Sequence, residues 1–391
     1  MRISHIIPFS DPAGGGPPSV ATRLAAAQAS LGHEVSLITY DQPEAHARIE
    51  QSLAAIPRFD RVRVTRIPWG GKSEALFARN ARPIVTAAAA ETDVFHFHGV
   101  WETIFLRAAE GARARGIPYA VTPHGMLNPW SLAQKTLKKK IALALGFRNM
   151  LKGAAFLHVL NPDERDPIAP LKLGTPMVVI PNGVFLEEID PLPPPGQFRR
   201  AHPELGNDPY IIYLSRLAAR KGLDFLADAF ALVLKDFPAA RLVIVGPDGG
   251  ERAPFERRIA SHGIGDRVHV LGPVYGRDKF AALVDAAAFC LPSEHEGFSM
   301  AITEALACAL PVVISPECHF PDVAKFNAGL TVPIEANAIR AALVELLRNP
   351  AEARSMGNAG RKLVLSTYTW PKIAELCTTE YARHGARDGR P

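Results

Sequence analysis

Cysteine is scarce. Four occur in 391 residues, at positions 290, 308, 318 and 377, and no two share a Cys-x-x-Cys spacing. Neither a zinc ribbon nor a thioredoxin-like redox motif can be built from them. Unpaired cysteines in a chain long enough to bury its own cores suit a reducing cytosol. Long apolar runs are missing too. None approaches the roughly 18–20 residues of a membrane helix, and the opening Met-Arg-Ile-Ser-His-Ile-Ile-Pro lacks the apolar stretch of a signal peptide. The expectation is a soluble, cytoplasmic protein. Charge of one sign is in only mild excess, at +5. With no zinc-finger spacing, aromatic RNA-binding signature or basic tail, nucleic acid is not an expected partner. The small positive balance favours anions such as phosphates or acidic lipids.

What is present is an alternation. Apolar, β-branched runs at Ile3–Ile7, Val35–Thr39, Val94–His98, Tyr119–Thr122, Phe156–Leu160 and Val178–Ile180 are separated by Ala- and Leu-rich stretches, the first at Pro18–Leu31. Continuous apolar strands separated by helices indicate parallel sheets covered on both faces. Pro191, Pro193, Pro194 and Pro195, followed by Gly196, then interrupt the pattern. Proline at this density continues neither a helix nor a central strand. A second set follows, with strands at Ile211–Leu214, Leu242–Val245, Val268–Leu271, Ala288–Leu291, Val312–Ile314 and Leu330–Val332, and helices such as Gly222–Phe237 and Phe298–Ala309. The expected fold class is α/β with two Rossmann-like domains facing a cleft. Residues 1–190 form the first domain, 191–200 a proline-rich linker and 201–367 the second domain. Residues 368–391 carry a C-terminal helix, over about Trp370–Arg387, that returns to the first domain.

Ligands of open parallel sheets sit at the carboxyl ends of the strands, so the informative residues lie just after them. Glu296 and Glu304 flank a segment that leaves a strand and enters a helix. Eight helical steps rise about 12 Å, enough for two carboxylates to reach opposite ends of an extended ligand. Glu296 lies in the entering loop, where a sugar could reach it. The two oxygens of Glu304 suit vicinal ribose hydroxyls. Gly297 precedes the opening amides of Phe298, Ser299 and Met300, which suit a phosphate or a sugar hydroxyl. The spacing alone fits two solvated glutamates equally well. Arg216 and Lys221, in Tyr-Leu-Ser-Arg-Leu-Ala-Ala-Arg-Lys-Gly after the first strand of the second set, offer a planar fork and a compact charge to an anion. Gly14, Gly15 and Gly16 follow the first strand and allow close backbone approach to a phosphate, although they do not match Gly-x-Gly-x-x-Gly, and a plain turn fits them as well. His124 follows a strand in Val-Thr-Pro-His-Gly-Met. His96 and His98 share one strand face, with no third metal ligand evident.

The stretch EGFSMAITEALACALPVV resembles the Glu-x7-Glu signature of the family-4 glycosyltransferases, with Ala309 standing where that family usually has glycine. Several motifs occur in the family's order over nearly the whole chain. The resemblance implies a GT-B fold and a retaining transferase that moves a hexose-type sugar from a nucleotide diphosphate, UDP- or GDP-linked. The acceptor would be a saccharide or lipid-linked molecule, in bacterial cell-surface polysaccharide synthesis. It implies that Arg216 and Lys221 bind the departing diphosphate and that the glycine loop faces it. His124 and Glu296 hold the sugar, Glu304 the ribose. Gly246 lets the donor approach, Val274 lies in the segment that reads the nucleobase, and Asn182-Gly183 marks the domain junction. No Asp-x-Asp stands in a donor-site context, so no metal or other cofactor is expected. A sugar phosphorylase on the same architecture and a catalytically silent nucleotide-sugar-binding subunit are the alternatives.

Residues 135–152 are the basic exception, with six basic residues and no acidic one. Leu137, Ile141, Leu145 and Phe147 supply part of an apolar face, and such a helix either packs on the core or lies on an anionic membrane surface. Peripheral contact with the inner face of the plasma membrane is the functional expectation.

Overall fold

A computed structural model describes residues 1–385, with the Trp130 side chain excepted. Its contacts divide the chain into two units. One runs from Met1 to Asn182 and includes the segment from Trp370 onward; the other is Gly183–Thr369.

In the first unit seven strands, β1 (Arg2–Ile6), β2 (Glu34–Tyr40), β3 (Arg63–Ile67), β4 (Val94–His98), β5 (Tyr119–Thr122), β6 (Phe156–Val159) and β7 (Met177–Val179), pair in the order β3-β2-β1-β4-β5-β6-β7. Every pairing is parallel. The central strands are buried throughout, as their unbroken apolar runs require. β3 is the strand the apolar pattern misses. It lies at the sheet edge, and Arg63 and Arg66 there pair with Glu91 and Glu50 on the surface. The helix Gly16–Ser30 packs against the helix Trp370–Gly385, so the last helix of the chain belongs to this unit.

The second unit holds β8 (Tyr210–Leu214), β9 (Arg241–Val245), β10 (Val268–Gly272), β11 (Ala288–Leu291), β12 (Val312–Ile314) and β13 (Gly329–Thr331), all parallel, in the order β10-β9-β8-β11-β12-β13. Both sheets place their first strand centrally and reverse direction beside it, between β1 and β4 and between β8 and β11. Such a switch point opens a crevice at the carboxyl ends of the strands.

The proline stretch is not a linker between the units. The chain leaves the first unit at Asn182, and residues 191–200 are packed inside the second. Asp285 accepts from the amides of Gly196 and Phe198 at 2.5 and 2.9 Å, and the Phe198 ring is buried near Tyr210. Proline density cannot distinguish a tether from an irregular segment anchored in this way.

The basic stretch also differs from a single helix. Thr136–Ala142 is helical, Gly146 breaks the next turn with φ 124°, and Arg148–Lys152 resumes. Phe147 is buried, whereas Leu137, Ile141 and Leu145 are 73, 49 and 74% exposed. Among the described residues no helix is long and apolar enough to cross a membrane.

Candidate functional site

In the second unit three loops leave the carboxyl ends of neighbouring strands and are stitched together by their main chains. The Arg220 carbonyl, after β8, accepts from the Glu294 amide at 2.8 Å and from Ser293 Oγ at 3.0 Å, both after β11. The Glu296 amide donates to the Glu317 carbonyl, after β12, at 2.9 Å. Gly222 makes the first contact possible. Its φ is +70°, and a Cβ there would lie 1.9 Å from the Pro292 carbonyl oxygen. These bonds bring Lys221 and Glu296, 75 residues apart, to 2.5 Å between Nζ and Oε1. The Glu296 carboxylate is almost buried, and the lysine supplies the countercharge that burial demands.

Arg216 lies one turn of loop earlier and is exposed. Its backbone carbonyl accepts from the Tyr213 hydroxyl at 3.2 Å. Its stem runs past Gly249, where a Cβ would stand 3.0 Å from Arg216 Cδ. Among the described residues no carboxylate pairs with its guanidinium, which leaves an exposed cation on the same loop as Lys221 to meet an anion.

Gly246 has a structural task besides the one expected. Its φ is +150°, and a Cβ would fall 1.9 Å from the Ser215 carbonyl oxygen. It is therefore glycine so that the loops after β8 and β9 can touch, and ligand approach is not needed to explain it. Its amide reaches the Gly272 carbonyl at 2.9 Å, which ties the segment of Val274 to the same crevice. Val274 itself is half-buried against the core.

The helix after β11 runs over Met300–Ala307, two residues later than the sequence suggests. Ser299 is its N-cap, with Oγ accepting from the Ile302 amide at 3.4 Å. Phe298 precedes the helix, and its ring packs near Phe320 and Tyr368. The opening amides therefore belong to Met300 and the residues after it. Glu304, on the same helix, pairs with Lys279 at 2.7 Å. Sequence reasoning missed Lys279. It lies on the separate helix Gly276–Val284, and nothing in its local pattern announces a carboxylate 25 residues away.

In the first unit Gly14 and Gly15 close their own turn. Their amides donate to the carbonyls of Asp11 and Pro12 at 2.9 and 3.1 Å, so both are engaged within the loop. Gly15, with φ 86°, caps the helix Gly16–Ser30. Its conformation is one that glycine adopts without strain. His124 stands after β5 with φ 49°, and its Nε2 lies 3.3 Å from His98 Nδ1. Burial, and secondarily the charge of His158, pulls its pKa down to about 3, which leaves the ring neutral. His96 and His98 do have a third histidine beside them: His5 of β1 brings its nitrogen to within 4.8 Å of theirs.

Residues 15–183 match the model of the glycosyl transferase 4-like domain, and residues 196–363 match that of the glycosyl transferases group 1. The chain belongs to the group 1 glycosyltransferases, family 4 type. This glycosyltransferase is 25% identical over 389 residues to the GDP-mannose:cellobiosyl-diphosphopolyprenol alpha-mannosyltransferase of Xanthomonas campestris, a match spanning 97% of this chain and 96% of that one. It is 31% identical to the MMP alpha-(1->4)-mannosyltransferase of Mycolicibacterium hassiacum, over 43% of this chain and 41% of that protein. Among solved structures, Anabaena HepE in complex with UDP and glucose aligns with a TM-score of 0.78 at 17% identity, covering 98% of this chain and all of the other. The fold is thus GT-B.

Proposed function

We propose that this glycosyltransferase moves a hexose-type sugar from a nucleotide diphosphate to a saccharide or lipid-linked acceptor, with retained anomeric configuration and without a metal ion. The observation that carries the proposal is the grouping of Lys221, Glu296 and Arg216 at the carboxyl ends of β8 and β11. A diphosphate gains negative charge as the glycosidic bond breaks. Two cations, Lys221 held by Glu296 and Arg216 on the same loop, stabilise that charge in the transition state, where a metal would otherwise be needed. In this assignment Lys221 has two partners in turn, the Glu296 carboxylate and the departing phosphate. Glu296 holds the sugar close to the bond that breaks. Glu304, oriented by Lys279, accepts from the ribose hydroxyls, and the start of the helix at Met300 faces the phosphates. His124 and the Gly14–Gly16 loop of the first unit are assigned to the sugar and diphosphate by resemblance. The GDP-mannose-dependent relatives favour a GDP-linked hexose first and a UDP-linked one second; bacterial cell-surface polysaccharide synthesis is the pathway that the family resemblance suggests.

Exposed Leu137, Ile141 and Leu145 beside Lys138, Lys139 and Lys140 support peripheral membrane contact at the cytoplasmic face. Core packing leaves three large apolar side chains in water, whereas an anionic bilayer covers them and attracts each lysine by about 1 kcal/mol. Sedimentation with anionic vesicles that is lost on replacing the three lysines is the expected result. Equal recovery in the supernatant with and without vesicles removes this part of the proposal.

The purified chain, incubated with GDP- and UDP-hexoses and a mixture of polyprenyl-linked saccharides in the presence of a chelator, should release nucleoside diphosphate and form an axial or equatorial linkage matching the donor's. Phosphate-dependent turnover without nucleoside diphosphate release identifies a phosphorylase. Tight donor binding with no turnover identifies a silent subunit. Inversion, or strict metal dependence, contradicts the mechanism.

A further inference from the structure

Within the first unit His124 is the end of a hydrogen-bonded array. Gln28 Oε1, on the helix Gly16–Ser30, lies 2.6 Å from His5 Nε2. His5 Nδ1 lies 2.9 Å from His98 Nε2, and His98 Nδ1 lies 3.3 Å from His124 Nε2. A second branch leaves the same amide. Gln28 Nε2 donates to the Tyr381 hydroxyl at 3.3 Å, Tyr381 meets His96 Nδ1 at 2.5 Å, and His96 Nε2 meets Thr122 Oγ1 at 2.6 Å. Gln28, His5 and His96 are wholly buried and His98 is 1% exposed, so water does not complete these bonds.

A neutral imidazole has one N–H and one lone pair. With the Gln28 oxygen on His5, the His5 proton sits on Nε2 and its Nδ1 accepts. His98 must then carry its proton on Nε2, and its Nδ1 accepts in turn. His124 therefore carries its proton on Nε2 as well, and its Nδ1 keeps a lone pair. Moving one proton alone would set two N–H groups, or two lone pairs, face to face in a buried site, at the cost of an unmade hydrogen bond. The tautomers change together or not at all.

We infer that Gln28, acting through His5 and His98, fixes His124 as the Nε2–H tautomer, so that His124 presents a hydrogen-bond-accepting Nδ1 to a hydroxyl of the transferred sugar. This rests on the assignment of His124 to the sugar. Gln28, His5 and His98 are positioning residues. The array orients and does not relay, because it ends at a carboxamide that takes up no proton. The last helix of the chain has a part in it, since Tyr381 meets the other half of the Gln28 amide and joins it to His96. The nitrogens of His5, His96 and His98 are also close enough for a metal ion. Each of their ring nitrogens already has a protein partner, which favours the array.

Long-range proton–nitrogen spectra of the full chain, labelled with nitrogen-15 in histidine, report the tautomer of each ring, and loss of a signal in His124→Phe assigns His124. The expected wild-type spectrum has a protonated Nε2 and a bare Nδ1 at His124. In Gln28→Met the His124 signals become a mixture of tautomers. The kcat for transfer falls about 10-fold, and nucleotide affinity is unchanged. A protonated Nδ1 in wild type, an unchanged single tautomer in folded Gln28→Met, or one bound metal per chain lost in His5→Phe would each overturn the inference. If Gln28→Met does not fold, the wild-type spectrum decides alone. A chain with this tautomer order but no transferase activity would instead refute the proposed function.

Discussion

Lys221 Nζ stands 2.5 Å from Glu296 Oε1, and this ion pair joins the loop after β8 to the loop after β11. The same lysine is assigned to the leaving diphosphate, so its removal has two effects. Lys221→Ala should lower kcat by about 10²–10³-fold, the usual result of deleting one preorganised charge. It should also lower stability by roughly 1–3 kcal/mol, because Glu296 is left without its partner. Steady-state kinetics and denaturant unfolding of the same preparation measure both. A variant with full kcat excludes Lys221 from the transition state.

The Lys279–Glu304 pair gives a second test, of nucleotide binding rather than turnover. Glu304→Ala should weaken nucleoside diphosphate binding by about 10-fold, the value of one or two charge-assisted hydrogen bonds. Lys279→Met should weaken it by about 5-fold through loss of carboxylate orientation, and should add little on the Glu304→Ala background. Calorimetric titration of the four proteins closes the cycle. Additive effects would show that Lys279 does not act through Glu304.

Gly222→Ala tests how the loops are held. The added methyl meets the Pro292 carbonyl 1.9 Å away at a φ of +70°. The β8 loop must therefore move, at a cost of about 2–4 kcal/mol in stability. Because Lys221 is the preceding residue, kcat should fall as well. Melting curves and kinetics are the readouts, and wild-type values for both would contradict the contact.

The buried histidines set a pH dependence of stability in the first unit. Burial lowers His5 and His158 to about 4 and His124 to about 3, against an ordinary 6.5, and holds His96 and His98 well below that ordinary value too. Between those values the unfolded chain binds more protons than the folded one. Stability is therefore complete above the ordinary value and is lost as pH falls from 6.5 toward 4. Each histidine contributes about 1.4 kcal/mol of loss between about pH 7.5 and about pH 5.5. Glu102 and Glu164 act in the opposite sense, since burial raises both, Glu164 to about 7. The two glutamates offset part of the histidine effect, and the net result is a loss of stability as pH falls through this range. Urea unfolding at the two pH values checks it, and equal midpoints would show that the histidines are not buried as described.

Much of the fold is legible in the sequence because a strand buried on both faces must be an unbroken apolar run. Twelve of the strands announce themselves that way, whereas β3 does not, since its arginines satisfy a half-exposed edge. The motif residues are legible because they follow strands. Their partners are not. Lys279, His5, Gln28 and Tyr381 reach Glu304, His98 and His96 through packing of separate elements, and no local pattern encodes that. Ser299 and Phe298 show a finer limit: capping chemistry and an aromatic cluster, not periodicity, decide where that helix begins. The glycines illustrate the reverse. Gly246 stands where a ligand loop is expected, yet the Ser215 carbonyl alone requires it.

The most direct test of the central claim is calorimetric titration of nucleoside diphosphate, GDP and then UDP, into the wild-type chain and Arg216→Ala/Lys221→Ala, with a chelator present. The two positive side chains of the loop after β8 should account for most of the affinity for the diphosphate. Micromolar-range binding by wild type and a loss of at least about 100-fold in the double variant is the predicted result. Equal affinity in the two proteins, with both folded, would contradict it.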